Sequence, residues 1–168
     1  MINGTSSDYW KLGCMLRIRA ATRSDAPALS AIAVEAKRYW NYTPEQLESW
    51  RDALCISELQ AVSRPTYVAE LNGAIAGFYS LLPASETWEL KHLWVLPQFM
   101  RRGVGRSLVA HAIATARHGG AVTISIDAEP NAEQFYVVCG AAPVRCLPAP
   151  LDGNVDRVRP QLVINVAA

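Results

Sequence analysis

The segment at residues 93–106, LWVLPQFMRRGVGR, has the residue types needed to hold a phosphorylated ligand. Gly103 and Gly105 lie where an apolar strand gives way to a helical pattern, and a helix start there presents unpaired backbone N–H groups at the positive end of the helix dipole. A side chain at these glycines would keep phosphate oxygens away from the backbone. The candidate binding residues are Leu93, Trp94, Val95, Arg101, Arg102, Gly103, Val104, Gly105 and Arg106.

Two common phosphate motifs do not fit this segment. A P-loop requires Lys followed by Ser or Thr after its second glycine, whereas Gly105 is followed by Arg106 and Ser107. A dinucleotide-binding fingerprint requires a third glycine where Leu108 stands. The glycine-rich turn therefore belongs to a different class of phosphate-binding loop.

A second segment, residues 126–140 with the sequence IDAEPNAEQFYVVCG, extends the pattern. Together the two segments resemble the GNAT superfamily of GCN-related N-acetyltransferases, whose loop pattern is [QR]xxGx[GA] and whose later strand is followed by Asn and then by a helix with Tyr four residues before Gly. Asn131 and Tyr136 fall on these two positions. Met100 replaces the usual Gln or Arg, so one side-chain contact of the pattern is missing.

The resemblance implies an acetyl-CoA-dependent acyltransferase that uses no metal. It implies that Asn131 contacts the cofactor and that Tyr136 is the general acid beside the CoA sulfur, since a phenol of pKa about 10 can protonate a thiolate. Glu89 matches the catalytic glutamate of the histone acetyltransferase branch, and partial burial would raise its pKa toward a useful value. His92, expected on the opposite strand face, is a competing base, and proton loss through water is a third route.

Acyl transfer to an amine needs no covalent enzyme intermediate if both substrates are held together. The interpretation is thus an enzyme that moves the acetyl group of acetyl-CoA to a primary amine of a small molecule by direct attack in a ternary complex. The alternatives are a non-catalytic acyl-CoA-binding module and a protein or peptide N-acetyltransferase. Tyr39, Trp40, Tyr42 and Trp50 could wall the acceptor site, with Lys37 or Arg38 binding a carboxylate, or could be core or dimer contacts.

The hydrophobic periodicity predicts a mixed α/β fold with elements in the order β-α-α-β-β-β-α-β-α-β-β. We expect strands at 15–21, 66–71, 74–82, 86–96, 121–128, 141–147 and 159–166, and helices at 22–40, 44–60, 103–117 and 130–139. The resemblance implies a mixed, mostly antiparallel sheet of about six or seven strands with about four helices packed on both faces.

Composition limits the remaining possibilities. The 168 residues, 51% hydrophobic and 18% charged, can form one packed core, which excludes a disordered or fibrous chain. A net charge of +1 gives no general attraction to nucleic acid or membrane. We expect a flexible extension at 1–14 and a single domain at 15–168. The four cysteines form no CxxC pair, and the sequence shows no signal peptide and no long apolar span. These features favour a cytoplasmic protein. We also allow for a homodimer.

Overall fold

The computed structural model describes residues 15–166, so the extension expected at residues 1–14 lies outside the described part. Seven strands form one sheet in the order β1-β2-β3-β4-β5-β7-β6. They are β1 (Leu16–Ala20), β2 (Thr66–Leu71), β3 (Ala74–Leu82), β4 (Thr87–Val95), β5 (Thr123–Asp127), β6 (Ala142–Pro148) and β7 (Val158–Asn165). The helices are α1 (Ala26–Arg38), α2 (Pro44–Ser49), α3 (Arg51–Leu54), α4 (Glu58–Ser63), α5 (Val104–His118) and α6 (Glu133–Val138).

β2, β3 and β4 form an antiparallel meander, and β1 pairs antiparallel with β2. β2 and β3 are joined by Asn72 and Gly73, which have φ of 53° and 84°. Asn-Gly is the preferred pair for a tight hairpin because both central residues need positive φ. The mixed, mostly antiparallel sheet is confirmed, since β4 with β5 is its one parallel pair within the described residues.

The parallel pair is short, and the two strands then separate. Only Thr87, Trp88 and Glu89 of β4 pair with β5, although β4 continues to Val95. α5 connects the two strands, as a parallel pair requires a crossover. Beyond Glu89 the edge of β4 that faces β5 has no strand partner among residues 15–166, so a gap opens in the middle of the sheet.

Two hydrophobic cores cover the two faces of the sheet. On one face α5 packs against Tyr79 and Leu81 of β3 and against Leu90 of β4. On the other face α1 packs against Val68 and Phe78. The gap between β4 and β5 therefore joins the α5 side of the molecule to the α1 side.

A β-bulge at Lys91 changes which side chains of β4 share a face. Ser80 pairs with His92 and Leu81 pairs with Leu90, so Lys91 is the extra residue. Paired residues lie on the same face and a bulge shifts the alternation by one residue. Glu89, opposite Leu82, therefore lies on the same face as His92, and the prediction that these two residues face opposite ways is wrong.

The helix expected over residues 44–60 is instead three short helices. Thr43 and Gln46 form a capping box at the start of α2. Ser57 and Gln60 form a second capping box that starts α4, and Cys55 before it has extended backbone with ψ of 126°. Because Ser at an N-cap favours a new helix start, the chain turns here instead of continuing one helix.

No helix of residues 15–166 is long and apolar enough to cross a membrane.

Candidate active site

A cavity of about 590 Å³ occupies the gap between β4 and β5. Its walls come from both faces of the sheet, with α1 on one side and α5 and α6 on the other. The lining residues from the sequence prediction are Leu93, Trp94, Val95, Arg101, Gly103, Gly105, Arg106, Asn131 and Tyr136. Arg102 and Val104 do not line it: Arg102 is exposed, and Val104 is buried in the core beneath α5.

The start of α5 faces this cavity with free backbone donors. The first bond at this end of the helix runs from Ser107 N to Gly103 O at 3.0 Å. The N–H groups of Val104, Gly105 and Arg106 come before that bond and have no acceptor within the helix. With the side chains of Arg101 and Arg106 on the cavity wall, these donors form a site suited to phosphate oxygens.

Glycine is needed at positions 103 and 105 for two different structural reasons. Gly103 has φ of +84°, a conformation that L side chains rarely adopt, and a Cβ there would meet no atom within 4 Å. A Cβ on Gly105 would lie 3.2 Å from Cζ of Phe135. Because Gly105 has no side chain, α6 can approach α5 closely. This contact positions Phe135, the residue next to Tyr136.

Tyr136 lies on α6 with its side chain buried at 7% exposure, and it also lines the cavity. Burial raises the pKa of its phenol, because the charged form is poorly solvated there. The hydroxyl is therefore protonated throughout the neutral and mildly alkaline range. Cys139, one turn later on the chain, also lines the cavity, and burial raises the pKa of its thiol, which disfavours a thiolate nucleophile.

The structure does not bring Glu89 to the cavity wall. Its carboxylate is 40% exposed and forms an ion pair with Lys91 at 3.2 Å. His92 is also absent from the wall, and its Nδ1 accepts a hydrogen bond from Trp94 Nε1 at 3.3 Å. Burial, with the charges of Arg64 and Lys91, lowers the pKa of His92 to about 4. Without a bulge, Glu89 and Leu93 would lie on the same face of β4. The bulge at Lys91 shifts the alternation by one residue, so that Leu90 shares the face of Leu93 and Glu89 lies on the other face.

Two carboxylates reach the cavity, and the sequence analysis singled out neither: Asp127 ends β5, and Glu129 lies in the loop after it. Its Oε1 accepts hydrogen bonds from the Tyr42 hydroxyl at 2.5 Å and from Asn131 Nδ2 at 3.2 Å. Its Oε2 pairs with Lys37, and Arg157 Nη2 lies 3.7 Å away. One carboxylate is thus surrounded by Lys37, Tyr42 and Arg157, from distant parts of the chain, and by the nearby Asn131.

We call Lys37, Tyr42, Trp50, Glu129 and Arg157 the buried ion cluster. The amine of Lys37 lies 4.7 Å from the centre of the Tyr42 ring and 4.2 Å from that of Trp50. The Arg157 guanidinium lies over the same two rings, at 5.7 and 5.8 Å. Burial lowers the pKa of Lys37, and the Glu129 carboxylate opposes that shift.

The aromatic residues proposed for the acceptor site divide into two groups. Tyr39 and Trp40 line the cavity at the end of α1, whereas Tyr42 and Trp50 pack edge to face within the buried ion cluster. Of the two candidate cations, Lys37 joins the cluster, and Arg38 is ion-paired with Glu35 at the surface.

Comparison with known proteins gives the family. Residues 28–141 match the family model for the acetyltransferase (GNAT) family. The chain belongs to this family. The matched region includes the start of α5, Tyr136 and Glu129, whereas Arg157 lies beyond its end. No curated protein was found to match the sequence.

Solved structures of other GNAT proteins share the fold at low sequence identity. The ribosomal-protein-S18-alanine N-acetyltransferase from Escherichia coli is 18% identical with a TM-score of 0.71, covering 92% of this chain and 96% of that one. The PaiA N-acetyltransferase from Thermoplasma acidophilum, in complex with coenzyme A, is 17% identical with a TM-score of 0.70, covering 90% and 99%. The protein yncA from Salmonella typhimurium, with its cofactor acetyl-CoA, is 19% identical with a TM-score of 0.67, covering 90% and 94%.

Proposed function

We propose that this GNAT protein is an N-acetyltransferase that moves the acetyl group of acetyl-CoA to a primary amine of a small molecule. The observation that carries the proposal is that one cavity, opened by the separation of β4 from β5, is lined by both the start of α5 and Tyr136. The phosphate site can hold the diphosphate of CoA, and the buried tyrosine can protonate the CoA thiolate that leaves when an amine attacks the thioester. The acetyl-CoA and coenzyme A complexes of its structural relatives agree with this cosubstrate.

The cosubstrate half of the site is the α5 side of the gap. Val104, Gly105 and Arg106 offer backbone N–H groups to the diphosphate, and Arg101 and Arg106 balance its charge. The unpaired edge of β4 beyond Glu89 can hydrogen-bond the amide groups of the pantetheine arm. Leu93 and Val95 supply an apolar wall, and Asn131 contributes an amide at the loop after β5.

The chemical step is direct attack of a neutral amine on the thioester carbonyl, with loss of the CoA thiolate. Tyr136 donates its proton to the departing sulfur, and burial keeps its hydroxyl protonated before the reaction.

The acceptor enters from the α1 side, where Tyr39 and Trp40 form the wall. Glu89 belongs to this same face of the sheet, next to cavity residues Leu90 and Lys91. We therefore assign removal of the ammonium proton to Glu89 acting through water, because the carboxylate itself does not reach the cavity wall.

The test is an acceptor screen with acetyl-CoA that measures free thiol release over amino acids, polyamines, aminoglycosides and peptides. Turnover of small amines supports the proposal, turnover of peptides alone replaces it with protein acetylation, and tight CoA binding without any turnover indicates a non-catalytic module. Glu89→Gln should lower kcat by about tenfold or more with the acetyl-CoA KM unchanged. A wild-type rate in Glu89→Gln and a loss in His92→Gln would move the role to the histidine.

A further inference from the structure

The buried ion cluster contains more positive than negative charge. Lys37 and Arg157 are two cations, and Glu129 is the one carboxylate paired with them within residues 15–166. Their side chains are only 11%, 8% and 8% exposed. A buried charge without a counter-ion is unfavourable, so a site of this kind favours a second anion.

Glu129 has little capacity left to bind a cation. A carboxylate has about four lone-pair sites, and here Lys37, Tyr42, Asn131 and Arg157 already surround it. The neighbouring carboxylate, Asp127, is ion-paired with Arg159 at 3.1 Å and accepts a hydrogen bond from Gln161. Asp127 therefore already has partners and does not neutralise the excess positive charge of the buried ion cluster.

Arg157 has one guanidinium donor without a partner among residues 15–166. Its Nη1 donates to Ala149 O at 3.1 Å, and its Nη2 donates to the Tyr42 hydroxyl at 3.3 Å. Its Nε is buried and has no hydrogen-bond partner among the described residues. A buried, unpaired guanidinium donor is costly and indicates a missing acceptor.

The cluster adjoins the acceptor end of the cavity. Glu129 and Asn131 belong both to the cluster's hydrogen bonds and to the cavity wall. Lys37 follows Ala36, another wall residue on α1, and the aromatic pair Tyr39 and Trp40 comes next. Lys37 and Arg157 do not line the cavity wall themselves, so an acceptor with its amine toward the thioester would reach them past Glu129 and Asn131.

We propose that the acceptor carries a carboxylate in addition to its reactive amine, and that Lys37 and Arg157 bind this carboxylate. The proposal rests on the function proposed above and narrows its substrate class to amino acids and related amino carboxylates. Arg157 is then a specificity-determining residue, placed by the loop between β6 and β7.

The experiment uses matched pairs: α-amino acids, β-alanine and 4-aminobutyrate, each with its carboxamide. Within a pair the amine and side chain are the same, and only the negative charge differs. We expect kcat/KM to favour the carboxylate by about tenfold or more, which is the usual effect of one charged hydrogen-bond partner. Arg157→Met should remove this preference and leave the acetyl-CoA KM unchanged, whereas Arg157→Lys should keep part of it.

Arg145→Met is the matched control, since Arg145 is an exposed arginine on the adjacent strand β6. It should keep the wild-type preference. Thermal melting and CoA binding of each variant will show that it is folded. An equal kcat/KM within every pair, or a preference that survives in Arg157→Met, would overturn the proposal.

Binding measurements separate this proposal from the proposed function. Calorimetric titration of the same pairs into the CoA-bound protein needs no turnover. If carboxylates bind more tightly than carboxamides, and Arg157→Met loses the difference, the anion site stands even when no acceptor is acetylated. If no pair differs in affinity, the anion site is wrong even when amines are acetylated.

Discussion

At the scale of single residues, Tyr136 is the side chain whose proposed role depends on one atom. Tyr136→Phe removes the hydroxyl and keeps the ring that packs against Phe135. Unfolding free energy should change by about 0.5–1.5 kcal/mol, the value of one hydrogen bond. Because the proton is needed mainly in the transition state, kcat should fall about tenfold or more while the acetyl-CoA Kd stays the same. Steady-state kinetics and calorimetry will measure these two quantities, and a variant with normal kcat would make Tyr136 a packing residue only.

His92 should make stability depend on pH. Its pKa is about 4 in the folded protein and 6.5 in the unfolded chain, so between these values the unfolded state binds a proton that the folded state does not. The free energy of unfolding should therefore fall as pH is lowered from about 6.5 to about 4.

The measurement is urea unfolding of wild type and His92→Gln at several pH values in that range. Glutamine cannot titrate and can still accept from Trp94, so the variant should lose less stability as pH falls. His118→Gln, at an exposed position, is the control and should follow the wild type. Parallel curves for wild type and His92→Gln would contradict the prediction.

At the scale of elements, the packing of α6 against α5 should control catalysis. Gly105→Ala would place a methyl group 3.2 Å from the Phe135 ring, so this ring must shift by a few tenths of an ångström, next to Tyr136 on α6. We expect a lower kcat at saturating acetyl-CoA. Gly103→Ala is the matched variant, because it meets no neighbour but has φ of +84°, so it should cost about 1–2 kcal/mol of stability with a smaller effect on kcat. Similar kcat values in the two variants would show that the contact with Phe135 does not matter.

Elements with local signals could be predicted, and elements that depend on distant contacts could not. The Asn72-Gly73 hairpin and the start of α5 at Gly103 are fixed by residues with positive φ. The break between α3 and α4 and the bulge at Lys91 escaped the periodicity analysis, since one extra or turned residue leaves the hydrophobic pattern almost unchanged. The bulge is also why the faces of Glu89 and His92 could not be assigned correctly by counting alternate residues.

The residues of the candidate site also divide into those that a local motif predicts and those that depend on distant contacts. The loop at residues 101–106 and Tyr136 were found because their motif is short and continuous. Glu129 was missed because its partners Tyr42 and Lys37 are 87 and 92 residues away in the chain. A carboxylate in a loop has no sequence signal for burial, which only the packed structure provides.

At the scale of the whole molecule, acetyl-CoA should stabilise the fold by binding the native state alone. At a ligand concentration of one hundred times Kd the gain is about 2.7 kcal/mol. For a domain of this size that corresponds to about 5–10 °C in Tm, measured by thermal denaturation with and without acetyl-CoA. Gly103→Glu should abolish the shift by adding negative charge at the phosphate site. An unchanged Tm with saturating CoA and acetyl-CoA would contradict the binding site at the start of α5.

The chain positions of the two halves of the site have an evolutionary consequence. The proposed cosubstrate contacts lie in two short continuous stretches, at residues 93–106 and 131–136, whereas the buried ion cluster joins α1, the loop after β5 and the loop before β7. A substitution of Glu129 alone leaves Lys37 and Arg157 buried without their carboxylate, and loss of either cation removes a partner of Glu129, so inherited changes at these positions should occur together. Related sequences should therefore show correlated residues at 37, 129 and 157, while residues 103–106 vary independently of them.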